Sequence, residues 1–176
     1  MANWGAGARA DAFLIAMFLP EAIRTVLGGG VISSAGLALW QAHHAQDDES
    51  PVTGLQREWL GRMSASLGLV GLGLAIVLSL GAPLGVWPGL SPEQRHTTED
   101  VLRLLAWSVP GMWLHALWSV PLQASGRFVL AGLGSLLYNL PPVAYMAWAR
   151  HDATEMGLAW CFVLGGLLMG LLLWPS

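Results

Sequence analysis

No lysine occurs in this chain of 176 residues; all eight basic residues are arginine, and eleven acidic residues leave a net charge of −3. Without a basic patch nothing is available to track a phosphate backbone, which argues against a nucleic-acid partner. One cysteine, Cys161, rules out a disulfide framework and any cysteine-based metal site. Alone in an apolar run, it reads as a small packing residue. Charged residues of either sign make up only 11% of the chain, against about 25% in ordinary soluble domains. Catalytic patterns are lacking too: there is no Ser-His-Asp arrangement, no phosphate-binding glycine loop and no paired carboxylates. The chain does not read as an enzyme, and no cofactor is implied.

What remains is apolar. Hydrophobic residues make up 55% of the chain, and uncharged runs extend over 63–92, 104–126, 128–149 and 156–176. Each reaches the roughly 20 residues needed to cross the hydrocarbon core. Residues 10–40 form a fifth candidate that carries charge. Tryptophan favours the membrane–water interface, and Trp40, Trp59, Trp87, Trp148, Trp160 and Trp174 fall near the ends of these runs. Trp107, Trp113 and Trp118 fall inside one and read as packing residues. The expectation is an all-α, polytopic helical membrane protein, one membrane domain over 1–176, with about five transmembrane helices at 9–42, 59–87, 100–122, 128–148 and 155–174. Polar connections are expected at 43–58 and 91–100. The arginines divide three against four between the two sides, so charge bias does not orient the chain.

The charged candidate is the most informative. Asp11, Glu21 and Arg24 lie in a segment otherwise fit for a bilayer, beside Pro20 and three consecutive glycines, Gly28, Gly29 and Gly30. A charge near the bilayer centre costs about 2.5–3.5 kcal/mol on insertion scales and so faces protein or a watery cavity. Proline and glycine loosen the helix where those charges sit. Glu21 and Arg24, three apart, fall on one helical face and can neutralise each other. Alternatively Arg24 projects into a cavity and binds an anion, phosphate above all, which a guanidinium grips through two hydrogen bonds. Asp11 lies about 20 Å away along a straight helix, as an interfacial cap or as a gating or cation-linked carboxylate.

Other polar residues are weaker candidates. His43, His44, Asp47, Asp48 and Glu49 cluster in sequence, but adjacent histidines diverge on any regular element, so they read as a solvated loop and no metal site is expected. His115 reads as a satisfied intramembrane histidine, with a proton relay as the alternative. Pro110, Pro121, Pro141 and Pro142 each remove a backbone donor. The glycines at 68, 71 and 73, at 132 and 134, and at 165, 166 and 170 allow helices to approach closely.

Several of these residues carry a resemblance. Gly5-Ala6-Gly7, Ala10-Asp11-Ala12-Phe13, Leu19-Pro20 with Arg24 four residues on, then Gly30 and Ser33, resemble the second transmembrane helix of the MurJ/MviN family of lipid II flippases. Gly126-Arg127-Phe128, with Asn139 twelve residues after the arginine, resembles that family's turn and fifth helix. The resemblance implies a partial lobe, helices two to six, of a transporter of the multidrug/oligosaccharidyl-lipid/polysaccharide exporter superfamily in the bacterial inner membrane. It implies a lipid-linked saccharide pyrophosphate as partner, membrane lipids around it, Arg24 as a substrate-binding cavity arginine and Asp11 as the family's acidic residue. It also orients the chain, with 43–58 and the Arg127 turn cytoplasmic and 91–100 and 150–154 periplasmic. This sequence departs from the family pattern at Gly28-Gly29-Gly30, where an acid is lost, at Thr25, where a second basic residue is usual, and at Ala131 and Ser135, where prolines are usual. The family's first helix has no counterpart, so a companion chain or self-association is expected to supply the missing helices. The alternatives are a flippase component for another polyprenyl-linked saccharide, such as an exopolysaccharide unit, and a non-transporting membrane bundle or non-functional fragment.

Overall fold

A computed structural model describes residues 8–44, 54–85, 87 and 89–173. Among them the chain is helical throughout, with short connections and no strand. Helices α1 (Ala8–Ile23), α2 (Ser33–His44), α3 (Gly54–Gly81), α4 (Pro92–Leu105), α5 (Val109–Ala124), α6 (Phe128–Ala149) and α7 (Glu155–Leu172) form five rods. α1 continues into α2 through a π-helical stretch, Arg24–Ile32, and α4 continues into α5 through a 3-10 turn, Ala106–Ser108. The helices of residues Gln56–Leu84, Phe128–Ala149 and Glu155–Leu172 are long and apolar enough to cross a membrane. The protein is an all-α helical membrane protein.

α5 is the hub. It packs against α2, α3, α6, α7 and the π stretch, while α4 packs against α1 and α7. Ten of its residues are buried, from Val109 to Val120. Phe13, Val101, Leu105, Met112, Tyr138 and Phe162 form a core shared by α1, α4, α5, α6 and α7. Large apolar residues otherwise point outward, as Phe18, Leu80 and Val129 do, the pattern of a body solvated by hydrocarbon. Trp113 and Trp118 are buried as packing residues, whereas Trp107 is exposed on the short 3-10 turn, which rotates it away from the bundle. Trp40 is buried edge-on against Trp59, ring centroids 6.0 Å apart, closing the α2–α3 corner.

Small residues set the helix spacing. A side chain at Gly166 would run into Ser108, one at Gly111 into the backbone of Gly166, and one at Gly170 into the Gly111 backbone. A methyl at Gly71 would lie 3.2 Å from the Pro110 Cα. Gly165 stands over the Tyr138 carbonyl, which Pro142, four residues on, leaves without a helical donor. Gly73 and Gly132 face open space instead. Their neighbours in sequence make the contacts, because a helix presents only one stripe to a partner.

The polar connection expected at 91–100 is a helix. Ser91 and Gln94 form a reciprocal capping box with Pro92 in the first turn, satisfying the free amides that start a helix. Thr98 then donates to the Ala12 carbonyl at 3.3 Å, and Arg95 joins Glu99 at 2.8 Å and the Pro83 carbonyl at 3.2 Å. The connection expected at 43–58 is likewise shorter, since α2 runs to His44 and α3 begins at Gly54. Asp47, Asp48 and Glu49 lie outside the described residues, as do the side chains of His43 and His44. At the other corner α5 ends in Gly126, with φ of 73°, while Gly126 N–H donates to Gln123 O and Arg127 N–H to Leu122 O. This paired closure needs the left-handed residue that glycine supplies.

Candidate functional site

The π stretch decides what the first rod presents. Nine residues separate Arg24 from Ser33, two and a half turns of an α-helix, which would place them on opposite faces. A π-helix bonds i to i+5 and takes between four and five residues per turn, so nine residues make about two whole turns. Arg24, Thr25 and Ser33 therefore fall on one face. Three glycines within the stretch, Gly28 to Gly30, lower the steric cost of widening the backbone.

That face lines a cavity of about 250 Å³, room for roughly eight waters. α5 lines it with Met112, His115, Ala116, Ser119 and Gln123, spaced three and four apart as a single helical stripe. α6 contributes Ala131 and Ser135, one turn apart, and α7 contributes Met169. Thr25, Ala131 and Ser135, three of the departures from the family pattern, all line this cavity.

Arg24 is held on two sides. Its Nε donates to Glu21 Oε2 at 2.9 Å and its Nη2 donates to Glu21 Oε1, while the guanidinium carbon lies 5.8 Å from the centroid of the Tyr138 ring. Tyr138 is fixed by Phe162, centroids 5.3 Å apart, and Phe162 also meets Phe13 at 6.2 Å. Among the described residues Nη1 has no hydrogen-bond partner. The two sequence readings of Arg24, neutralised pair and cavity cation, thus describe the same residue. Glu21 occupies one edge of the fork and leaves the other open.

His115 is the residue whose place sequence reasoning did not find. It was read as a satisfied intramembrane histidine, and its ring nitrogens do meet acceptors: Nδ1 lies 3.1 Å from Met169 O on α7 and Nε2 lies 3.1 Å from Ala131 O on α6. The ring rests on Gly134, where a Cβ would collide with it. Behind it Gln123 Nε2 donates to Ser119 Oγ at 2.8 Å, and Ser119 donates to Ala116 O at 2.8 Å. The available signal was the 115–119–123 spacing, a polar stripe on an apolar helix. Asp11, by contrast, is exposed in the first turn of α1 and is not among the residues lining the cavity. There its carboxylate faces the positive end of the helix dipole. Among the described residues no cluster of three or more His, Cys, Asp or Glu stands ready for a metal.

An arginine with one open edge, a histidine, three serines, a threonine and a glutamine around a small cavity can bind an anion or a hydroxyl-rich group. The family model for the lipid II flippase MurJ matches residues 1–175. A probable lipid II flippase MurJ from Haemophilus influenzae is 27% identical over 93% of this chain, an alignment that takes in 34% of the relative's length. The chain thus spans about a third of that relative. No solved structure matches. With the family model matching nearly its whole length, the chain belongs to the MurJ lipid II flippase family.

Proposed function

We propose that the chain is part of a flippase that carries undecaprenyl-pyrophosphate-linked peptidoglycan precursor across the bacterial inner membrane, and that Arg24 binds the pyrophosphate. The observation that carries this reading is the open edge of the Arg24 guanidinium on a cleft between apolar helices that is lined by polar and apolar side chains in about equal part. An ion pair serving insertion alone has no need of serines and a glutamine opposite it. The five rods each cross the bilayer in this reading, with the Arg127 turn on the cytoplasmic side. Asp11 then lies near the far interface, where a gating or cation-linked carboxylate would stand.

The cavity has room for a pyrophosphate but not for a glycan and peptide, so the saccharide extends beyond it. With about a third of its relative's length, the chain supplies part of the walls of such a site, and alternating access, which rocks one bundle against another around a central site, calls for helices beyond these. Binding is the direct test. Arg24→Ala should abolish binding of a lipid-linked pyrophosphate while the chain still inserts, and Arg24→Lys should restore it only in part, having lost the fork. Unchanged binding by Arg24→Ala would leave the Glu21 pair as the residue's whole role. Cysteine labelling at positions 46 and 94 should report opposite sides of the membrane, with 94 periplasmic; equal or reversed labelling overturns the orientation.

A further inference from the structure

The cavity holds one permanent cation, and His115 is placed to become a second. A neutral imidazole has one N–H and one lone pair. Both His115 nitrogens nonetheless face backbone carbonyl oxygens, Met169 O and Ala131 O, each at 3.1 Å. In the neutral ring one nitrogen donates, and the other sets its lone pair against an oxygen. Only the doubly protonated ring donates to both. The second acceptor is already in position, so protonation requires no rearrangement of α6 or α7. The Gly134 cradle fixes the ring in this orientation, which excludes a flip that would relieve the mismatch.

What opposes the proton is burial; Arg24 is the other ionisable residue among those lining the cavity. The remaining ionisable groups on neighbouring elements are Glu21, which is committed to Arg24, and Asp11 on α1, Tyr138 and Tyr145 on α6, and Glu155 and Cys161 on α7. On α3 they are Arg57, Glu58 and Arg62, and the side chains of Arg9 on α1 and of His43 and His44 on α2 lie outside the described residues. An anion entering beside Arg24 reverses the balance, since an opposite charge close by favours the charged form.

We infer that anion binding in this cavity is proton-linked, with His115 taking up one proton from water as a pyrophosphate-bearing ligand seats against Arg24. His115 is then the conditional half of a two-cation site, charged when the cavity is full and neutral when it is empty. By linkage, the proton raises the affinity of the cavity for its ligand by the same factor as the ligand raises the affinity of His115 for the proton. The inference rests on the proposed binding of pyrophosphate at Arg24, and the experiment separates the two.

The 176-residue chain in nanodiscs, labelled with ¹⁵N-histidine, should be titrated with farnesyl pyrophosphate and, as a neutral control, farnesol. The ring-nitrogen shifts that disappear in His115→Gln assign the residue. Farnesyl pyrophosphate should convert His115 from a neutral to a doubly protonated pattern near neutral pH and move its titration midpoint up by about one unit, a tenfold linkage; farnesol should do neither. In parallel, farnesyl pyrophosphate affinity measured from about pH 6 to pH 8 should diverge between the wild type and His115→Gln at the acid end by about tenfold and converge at the alkaline end. Ligand ionisation cancels in that ratio. Arg24-dependent binding with parallel pH curves and an unmoved His115 signal overturns the proton linkage and leaves the anion site standing. No binding at any pH overturns both. Should His115→Gln fail to insert, replacing His43, His44, His96 and His151 by Gln leaves His115 as the sole labelled histidine, and its shifts decide.

Discussion

α3 and α5 are neighbours in the bundle and opposites in design. α3 is the longest helix, 28 residues, and it sends Leu69, Val77 and Leu80 outward, 65–73% exposed. Its inward contacts come through small residues, Ser64, Gly68 and Gly71. α5 has 16 residues, includes the polar side chains of His115, Ser119 and Gln123, and is buried against five neighbouring elements. Hydrocarbon outside the protein explains the inversion. Lipid is as apolar as leucine, so apolar surface gains nothing by turning inward, and close packing and hydrogen bonds hold the helices together. The residues that matter for assembly and binding are therefore the least hydrophobic ones, on the helix with the most neighbours.

The sharpest way to break this comparison is to enlarge one glycine of α7 that packs at the start of α5 and one on the outer face of α3. Gly166→Leu drives a side chain into Ser108, at its Cβ and backbone on the 3-10 turn that leads into α5, where nothing flexible can yield. It should cost more than about 3 kcal/mol, beyond the usual range for overpacking. Gly73→Leu on α3 meets open space and should change stability by less than about 0.5 kcal/mol, as surface substitutions do. Reversible unfolding in mixed micelles measures both. Equal losses at the two positions would mean that α3 packs as tightly as α5.

A smaller effect is expected from the ion pair. Glu21→Ala leaves Arg24 with only the Tyr138 ring for a partner. Removing one member of a fully buried pair costs about 3–5 kcal/mol, but both side chains here are roughly one-third exposed, so about 1–2 kcal/mol is expected. Adding Arg24→Ala should recover most of that loss. A double variant as unstable as the sum of the two single ones would mean that the carboxylate and guanidinium act separately, and that Glu21 is free to face the cavity.

Much of this architecture was legible in the sequence because runs without charge are a strong signal. The helices over 128–149 and 155–172 follow from those runs, and Gly126 marks a helix end that only glycine closes well. Arg24 stood out because a charge among apolar residues needs an explanation. Asp11 stood out for the same reason, yet the structure leaves it exposed at a helix start. The π stretch was not legible: a change of one residue in hydrogen-bond register leaves no compositional mark beyond glycine, and α-helical periodicity assigns Ser33 to the wrong face. The helix at Pro92–Leu105 was missed because its charges suggested a loop, although Ser91-Pro92-Glu93-Gln94 carries a capping signature. His115 was identified but not placed, since its partners are backbone carbonyls on α6 and α7, and carbonyls have no residue identity to find.

The smallest expected effect tests whether anything besides close packing ties α3 to α5. Trp118 donates its indole N–H to Ser64 Oγ at 2.7 Å, and Ser64 donates onward to Leu60 O at 2.7 Å within its own helix. Such interhelical bonds average about 0.6 kcal/mol in membrane proteins and reach about 1.7, because a separated helix in lipid finds other partners for the same groups. Trp118→Phe removes the donor while keeping an aromatic ring in the buried slot, and Ser64→Ala removes the acceptor while keeping the helix surface smooth. Each should destabilise by about 0.5–1.5 kcal/mol, with Ser64→Ala the costlier because it strands a buried indole N–H. The double variant should lose no more than Ser64→Ala alone if the two residues act only through each other. A coupling energy indistinguishable from zero would assign α3 to glycine packing entirely, and the contrast with α5 would then be complete.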